Sequence, residues 1–201
     1  MVIIGIVGFQ GDVSEHSDIL QRLSREEGME ISVRLIRKKE DLEGIDGLII
    51  PGGESTTIYK LLKQYSIYDL IKERIERGLP VMGTCAGVIL LSRDTGDERV
   101  EGMGALDVRI NRNAYGRQIN SFIDEVEIKG LGRFKAVFIR APVIESVENA
   151  EVLSEHEGNA IMVRSGNILG MTFHPELTQD IRIHKLFTDI IGGGGYSSTG
   201  T

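Results

Sequence analysis

The 201-residue sequence predicts an α/β fold: a three-layer, doubly wound mixed sheet with an antiparallel extension in its second half. Three observations predict it. Through the first half, short apolar runs alternate with longer amphipathic ones, the pattern of strand, helix, strand on a parallel sheet. In the second half the apolar runs are separated mostly by turns. Between the halves, Gly83-Thr84-Cys85-Ala86-Gly87 joins an apolar run to the start of a helix, which reads as a tight strand-to-helix turn.

In chain order, residues 2–7 read as a buried strand and 14–25 as the helix returning over it. Strands over 31–36 and 47–50 follow, then helical stretches over 55–65 and 68–77. Residues 81–82 lead into the cysteine turn, and 88–91 open the next helix. Parallel strands need crossovers of this size, almost always right-handed, so the loops at their carboxyl ends share one edge of the sheet. Open α/β sheets bind ligands on that edge. Later strands are expected over 108–110, 125–128, 136–139, 160–163 and 168–173, with Ser165-Gly166-Asn167 as a hairpin connection and 180–191 as the closing helix. Residues 1–192 read as one domain without repeat or linker, and the glycine-rich residues 193–201 as a disordered tail.

Composition narrows the function classes. A formal net charge of −7, from 23 basic and 30 acidic residues without a long Lys/Arg cluster, argues against nucleic acid or an anionic membrane as partner. A small-molecule substrate fits better. The single cysteine makes no intrachain disulfide, and Met1-Val2-Ile3-Ile4-Gly5 is a strand pattern without signal-peptide features. No apolar run approaches the ~20 residues of a membrane span, so a cytoplasmic location is expected.

Cys85 is the first candidate catalytic residue. A side chain on a glycine-flanked elbow stands clear of the sheet, and a helix N-terminus beneath a thiol favours the reactive anion. The competing reading, a small buried hydrophobe, is outweighed by the glycines, which are expected to permit backbone angles that a β-carbon forbids. A nucleophilic cysteine needs a base, and the base an orienting acceptor. His174, in Thr172-Phe173-His174-Pro175-Glu176 at the end of an apolar run, is the candidate base. Glu176 lies two residues on, and in extended chain that spacing puts both side chains on one side. The alternative is a surface histidine beside an acid that starts a helix. His16 and His184 read as solvated residues on helix faces, and His156 as one of a group of charged turn residues. No cluster has structural metal spacing, so no metal is expected. The loop Pro51-Gly52-Gly53-Glu54-Ser55-Thr56-Thr57 follows a strand and opens a helix. It offers glycine N–H groups for an oxyanion, with Ser55 as a helix cap. As a phosphate cradle it lacks the Walker lysine, and Glu54 would repel the ligand.

Gly83-Thr84-Cys85-Ala86-Gly87 and Phe173-His174-Pro175-Glu176, in that order, resemble the class I glutamine amidotransferases, whose domain is flavodoxin-like and carries a Cys-His-Glu triad. Within that group the chain is similar to the glutaminase subunits of pyridoxal 5'-phosphate synthases. The segments are Gly8-Phe9-Gln10-Gly11-Asp12 with Glu15-His16, the 51–57 loop, Arg112 to Gln118 with Ser121-Phe122, and Val137-Phe138-Ile139-Arg140-Ala141-Pro142. Tyr115 departs mildly from the family's usual Phe, and the tail has no counterpart. The resemblance implies hydrolysis of L-glutamine at Cys85, with His174 and Glu176 completing the triad and the N–H groups of Gly53 and Ala86 forming the oxyanion hole. It also implies that Gly53, Glu54, Ser55, Arg112, Ile139 and Arg140 hold the glutamine, that no cofactor is needed, and that the partner is the (β/α)8-barrel synthase subunit PdxS in a large hetero-oligomer. The family places its partner contacts near the mouth of the site, which makes the segment from Phe9 to His16 a docking surface. The alternatives are a glutaminase of another pathway, a DJ-1-like cysteine hydrolase, which needs neither His174 nor Glu176, and a non-catalytic thiol sensor, which tolerates loss of His174.

Overall fold

Apolar residues on both faces bury the inner part of the first strand. In the computed structural model, which describes residues 1–111 and 121–193, Ile4 and Ile6 of strand β1 (Val2–Val7) face one core while Val7 faces the other. Helix α1 (Val13–Glu27) follows and stops at Gly28, which takes the left-handed φ of 65° that ends helices. Then come β2 (Ile31–Ile36), β3 (Gly47–Ile50), α2 (Ser55–Gln64), α3 (Tyr68–Glu76), β4 (Val81–Thr84), α4 (Ala86–Leu91) and β5 (Ser92–Asp94). The second half comprises β6 (Leu106–Asn111), β7 (Ser121–Ile128), β8 (Gly132–Ile139), β9 (Val143–Val147), β10 (Glu151–His156), β11 (Asn159–Ser165), β12 (Ile168–Met171) and α5 (Arg182–Ile191).

Ten of these strands form one sheet in the order β2-β1-β3-β4-β12-β11-β9-β6-β5, with β10 paired to β11. From β2 to β12 every pairing is parallel; β11, β9 and β6 then add on antiparallel, as the second-half pattern predicts. Helices α2, α3 and α4 cover one face through Ile58, Leu62, Tyr68, Ile71 and Val88. On the other, α1 and α5 bury Leu20, Leu23, Ile183, Phe187 and Ile190. Among the described residues no helix is long and apolar enough to cross a membrane.

Two expectations about the second half need correction. Strands β7 and β8 do not extend the large sheet; they form a separate two-stranded ribbon. Their sequences explain it: Val126 and Ile128 are buried while Ile123, Glu125 and Glu127 at the alternate positions are exposed, so β7 has one buried apolar face, and a ribbon laid on the core satisfies it. Phe134 and Phe138 of β8 pack on Phe173 with ring centroids 5.9 and 5.8 Å apart. Strands β5, β9 and β10 were absent from the sequence reading, because their short runs mix charged with apolar residues. The tail residues 194–201 lie outside the described residues.

The cysteine elbow departs from expectation in its physics. Neither Gly83 nor Gly87 takes a positive φ; Cys85 itself does, at 49°. The glycines are needed for close packing instead. A β-carbon on Gly87 would lie 2.1 Å from the Ile50 carbonyl oxygen, and one on Gly83 2.7 Å from the Gly87 backbone. Helix α4 therefore rests directly on β3 and β4. Gly87→Ala forces backbone apart at this contact, and overpacking of that kind costs about 1–3 kcal/mol. Urea unfolding should show a lowered midpoint with an unchanged slope; an unshifted midpoint would contradict the close approach.

Candidate active site

Strand order brings four chain segments to one edge of the sheet. The loops leaving β1 and β3, the elbow after β4 and the exit of β12 all lie at carboxyl ends of neighbouring parallel strands. Between β4 and β12 the register is direct, Thr84 opposite Met171, and the Cys85 N–H continues the ladder to the Met171 carbonyl at 2.9 Å. Cys85, at φ 49° and ψ −102°, sits at the N-terminus of α4 in a sparsely populated backbone region, a local strain typical of functional sites. Its sulfur is almost buried and lies 3.8 Å from the Ile139 carbonyl.

His174 follows β12, its N–H bonded to the Val137 carbonyl of β8 at 2.8 Å. Residues Pro175–Leu177 form a 3₁₀ turn rather than the extended chain expected, with proline at its start. That turn still folds Glu176 back, and Glu176 Oε1 accepts from His174 Nδ1 at 2.8 Å. Asp12 Oδ2 lies 3.0 Å from the same nitrogen. On the other side of the ring, Nε2 is buried and has no normal hydrogen-bond partner among the described residues, while Cys85 is near enough to interact with the imidazole.

The charge balance of this cluster is set by its two carboxylates. Burial works against a charged His174, but its interactions with Asp12, Cys85 and Glu176 outweigh it, and the ring is pushed up to about 12. The bond to His174 holds Asp12 below the usual carboxylate range. Burial pushes Glu176 up, opposed by its bond to His174. Asp12, His174 and Glu176 have ligand atoms within 4.8 Å of one another, a donor set a metal ion can use. The spacings of 2.8 and 3.0 Å around Nδ1 are those of a protonated ring nitrogen between two acceptors.

In front of Cys85 opens a cleft of about 820 Å³ lined by Gly53, Glu54, Ser55, Ala86 and Arg140 among others. Gly53 has φ 138° and Arg140 φ 44°, both in the left-handed region. Glu54, not Ser55, is the N-cap of α2: its carboxylate accepts from the N–H groups of Thr56 and Thr57 at 3.2 and 2.7 Å and from both threonine hydroxyls. Burial raises its pKa, yet these bonds prevail and hold it at about 2, so it is an anion at neutral pH. Ser55 begins the helix, its buried hydroxyl without a partner among the described residues. Ile139 offers the carbonyl beside Cys85. Arg112 lies outside the described residues. Asp97, Glu98 and Arg99 complete the far wall, with Arg99 paired to Asp97 at 2.7 Å. Nothing in sequence separated that charged loop from an ordinary surface turn.

The expected solvent exposure of His16 and His184 is overturned. Both are fully buried directly behind the site. His16 Nδ1 is 3.0 Å from His184 Nε2, and His16 Nε2 is 3.3 Å from Thr84 Oγ1 and 3.6 Å from Glu176 Oε2. A lone pair facing that carboxylate would be repelled, so the His16 proton belongs on Nε2, and Nδ1 accepts from His184. His156 is also no turn residue: it ends β10 and bonds Asp124 at 2.8 Å.

The chain is similar over most of its length to known proteins. The SNO glutamine amidotransferase family model matches residues 6–192. Pyridoxal 5'-phosphate synthase subunit PdxT of Thermoplasma volcanium is 60% identical over 198 residues, 98% of each chain. The same subunit of Thermotoga maritima is 44% identical over 191 residues, 94% of this chain and 98% of the relative. A crystal structure described as a glutamine amidotransferase superposes with TM-score 0.86 at 44% identity, covering 94% of this chain and 98% of that one. PurLQS from Thermotoga maritima, TM-score 0.65 at 16% identity and 96% coverage of both, shares the fold.

The buried histidine pair has a consequence for stability. Burial holds His16 well below the ordinary imidazole value, aided by repulsion from His184 and His174, and burial pushes His184 down to about 3. Unfolded, both take up protons near pH 6.5; folded, they stay neutral, so the unfolded chain binds more protons and stability falls as pH drops below about 6.5. For His184 alone that loss is about 2 kcal/mol between pH 7 and pH 5. Urea unfolding at the two pH values should show His184→Gln losing about 2 kcal/mol less than the unsubstituted chain. Equal losses would mean that His184 is not held neutral.

A match covering nearly the whole chain, near full-length relatives at high identity and a cysteine elbow facing a His-Glu pair all lead to one statement: the chain belongs to the SNO glutamine amidotransferase family.

Proposed function

We propose that the chain is the glutaminase subunit of a pyridoxal 5'-phosphate synthase, hydrolysing L-glutamine to L-glutamate and ammonia and passing the ammonia to a synthase partner. One observation carries the chemistry: the His174 ring, bonded through Nδ1 to Glu176, lies near enough to interact with Cys85 at the edge of the cleft. In this reading the Cys85 thiolate attacks the side-chain amide carbon of glutamine. The N–H groups of Gly53 and Ala86 receive the developing oxyanion, each worth on the order of 10² to 10³ in rate. Imidazolium His174 then protonates the departing ammonia, leaving a glutamyl thioester. The neutral ring takes a proton from water, which attacks the thioester and restores thiolate and glutamate.

The glutamine head group needs an anion for its ammonium and a guanidinium for its carboxylate. Glu54 and Arg140 line the cleft and supply both, with Arg112 as a second candidate cation. Free ammonia in bulk water would be protonated and lost, so the reaction makes sense beside an acceptor site. The relatives' name, subunit of a synthase, supports a synthase partner, here the (β/α)8-barrel subunit PdxS in a hetero-oligomer of the cytoplasm. Of the segment from Phe9 to His16, His16 is buried and unavailable, while residues 9–15 suit docking because they touch the site: Gln10 Nε2 donates to the Glu54 carbonyl at 2.9 Å, and a β-carbon on Gly11 would strike the Gly52 carbonyl oxygen. Partner contact there reaches the oxyanion loop directly.

Ammonia release from glutamine tests the reading. With a barrel partner present, Cys85→Ala should abolish turnover and His174→Ala should reduce it by at least about 10³-fold. The unsubstituted chain alone should be nearly inactive. Full activity in His174→Ala, or equal turnover with and without partner, would contradict the mechanism or the gating respectively.

A further inference from the structure

Asp12 is a carboxylate beside His174 that neither the triad nor the head-group contacts use. It occupies the N-cap of α1, where an aspartate ordinarily accepts from the first free N–H groups of the helix. Here it makes no such bond. Its Oδ2 turns instead to His174 Nδ1 at 3.0 Å, beside Glu176 Oε1 at 2.8 Å. Gly52 leaves the space for this contact: a β-carbon there would lie 2.7 Å from Asp12 Oδ2 and 2.4 Å from His174 Cε1. Forgone capping, a short contact and a missing side chain in its path are three separate observations with one direction.

We propose that Asp12 is a positioning residue of the amide-cleaving site: its carboxylate shares the Nδ1–H of His174 with Glu176 and ties the imidazole to the loop leaving β1. The inference rests on the reading of His174 as the site's acid and base. Two acceptors flanking one N–H fix the plane of the ring, so that Nε2 stays aimed at Cys85. Two anions on one side of the ring also stabilise its charged form. The groups that face His174 are Asp12 and His16 from the α1 segment, Cys85 from the elbow and Glu176 from the 3₁₀ turn. Of these, His16 is held neutral by burial, so Asp12 and Glu176 supply the stabilising charge, joined by Cys85 when ionised.

Titrating the His174 ring by ¹⁵N NMR in the full chain tests this without recourse to turnover. The unsubstituted chain should keep both ring protons to about pH 10, and Asp12→Asn, which preserves shape but not charge, should lower the midpoint by about 1–3 pH units. Asp12→Ser separates a structural role from the proposed one, since serine restores a helix cap without an anion; it should lower the midpoint as Asn does. Glu176→Gln is the comparison. A lowered midpoint in Glu176→Gln with none in the Asp12 variants overturns the inference and leaves the triad standing. No change in any of the three overturns both, and a shift in Asp12→Asn and Asp12→Ser supports the shared proton.

Discussion

The parallel pairing of β12 with β4 is the constraint on which the site depends. Strand β12 is last in sequence yet lies in the centre of the sheet, in register with β4 from Ile168 opposite Val81 to Met171 opposite Thr84. One more ladder bond, from the Cys85 N–H to Met171, carries that register past the strand end into the elbow. The two chains then diverge, one into α4 and one into the turn holding His174 and Glu176. A slip of one residue would turn either side chain to the opposite face. The distance between sulfur and imidazole is therefore set by backbone hydrogen bonds in a buried sheet, which are stiffer than any loop contact. The glycine packing beneath α4 serves the same end, because it lets the elbow sit against β3 and receive the 51–54 loop from the neighbouring strand.

Three imidazoles share this region and do not share a charge state. Burial disfavours the protonated form of each. His184 has a histidine as its neighbour and falls to about 3, and His16 also stays far below the ordinary value. His174 has two carboxylates at hydrogen-bond distance and rises to about 12. What decides the sign is a carboxylate at hydrogen-bond distance from a ring nitrogen, since desolvation is common to all three: His174 has two, at 2.8 and 3.0 Å, whereas the carboxylate facing His16 stands off at 3.6 Å. Environments that drive like groups apart are how acid and base roles are assigned within one cluster. The neutral pair has its own part in this: His16 turns an N–H toward the far oxygen of Glu176, so both edges of that buried carboxylate face donors.

Much of this was legible in the sequence, and the misses have physical reasons. The ranges of β1 and β3 follow from apolar runs, that of β2 from apolar residues interrupted only by Ser32 and Arg34, and the hairpin at Ser165-Gly166-Asn167 from its turn residues. Cys85, His174 and Glu176 were marked by local chemistry and do converge. His16 and His184 were misplaced because an amphipathic helix cannot reveal that two of its polar residues meet across the interior; only the contact of α1 with α5 brings them together. Asp12 was hidden for a related reason. Its sequence context is that of a helix cap, and nothing local shows that the carboxylate has a better partner in a residue far along the chain.

The loop leaving β1 gains its importance from three successive side chains and backbones that reach three parts of the site. Gln10 bonds the Glu54 carbonyl, Gly11 presses on the Gly52 carbonyl oxygen and Asp12 meets His174. None of the three contacts tolerates displacement of its partner: the first is a hydrogen bond at 2.9 Å, the second admits no β-carbon, and the third is ionic. On the far side, Glu54 is tied down as the cap of α2, so the glycine loop is anchored at its helical end and held at its strand end by β3. The free variable is Gly53, at φ 138°, between two anchors and under the β1 loop. Residues 9–12 therefore touch both the 51–54 loop and the imidazole, while the Cys85 backbone is tied to the sheet through Met171. For the proposed glutaminase, whose ammonia would pass to a partner, such an arrangement couples the proposed oxyanion donors to a surface and leaves the proposed nucleophile uncoupled.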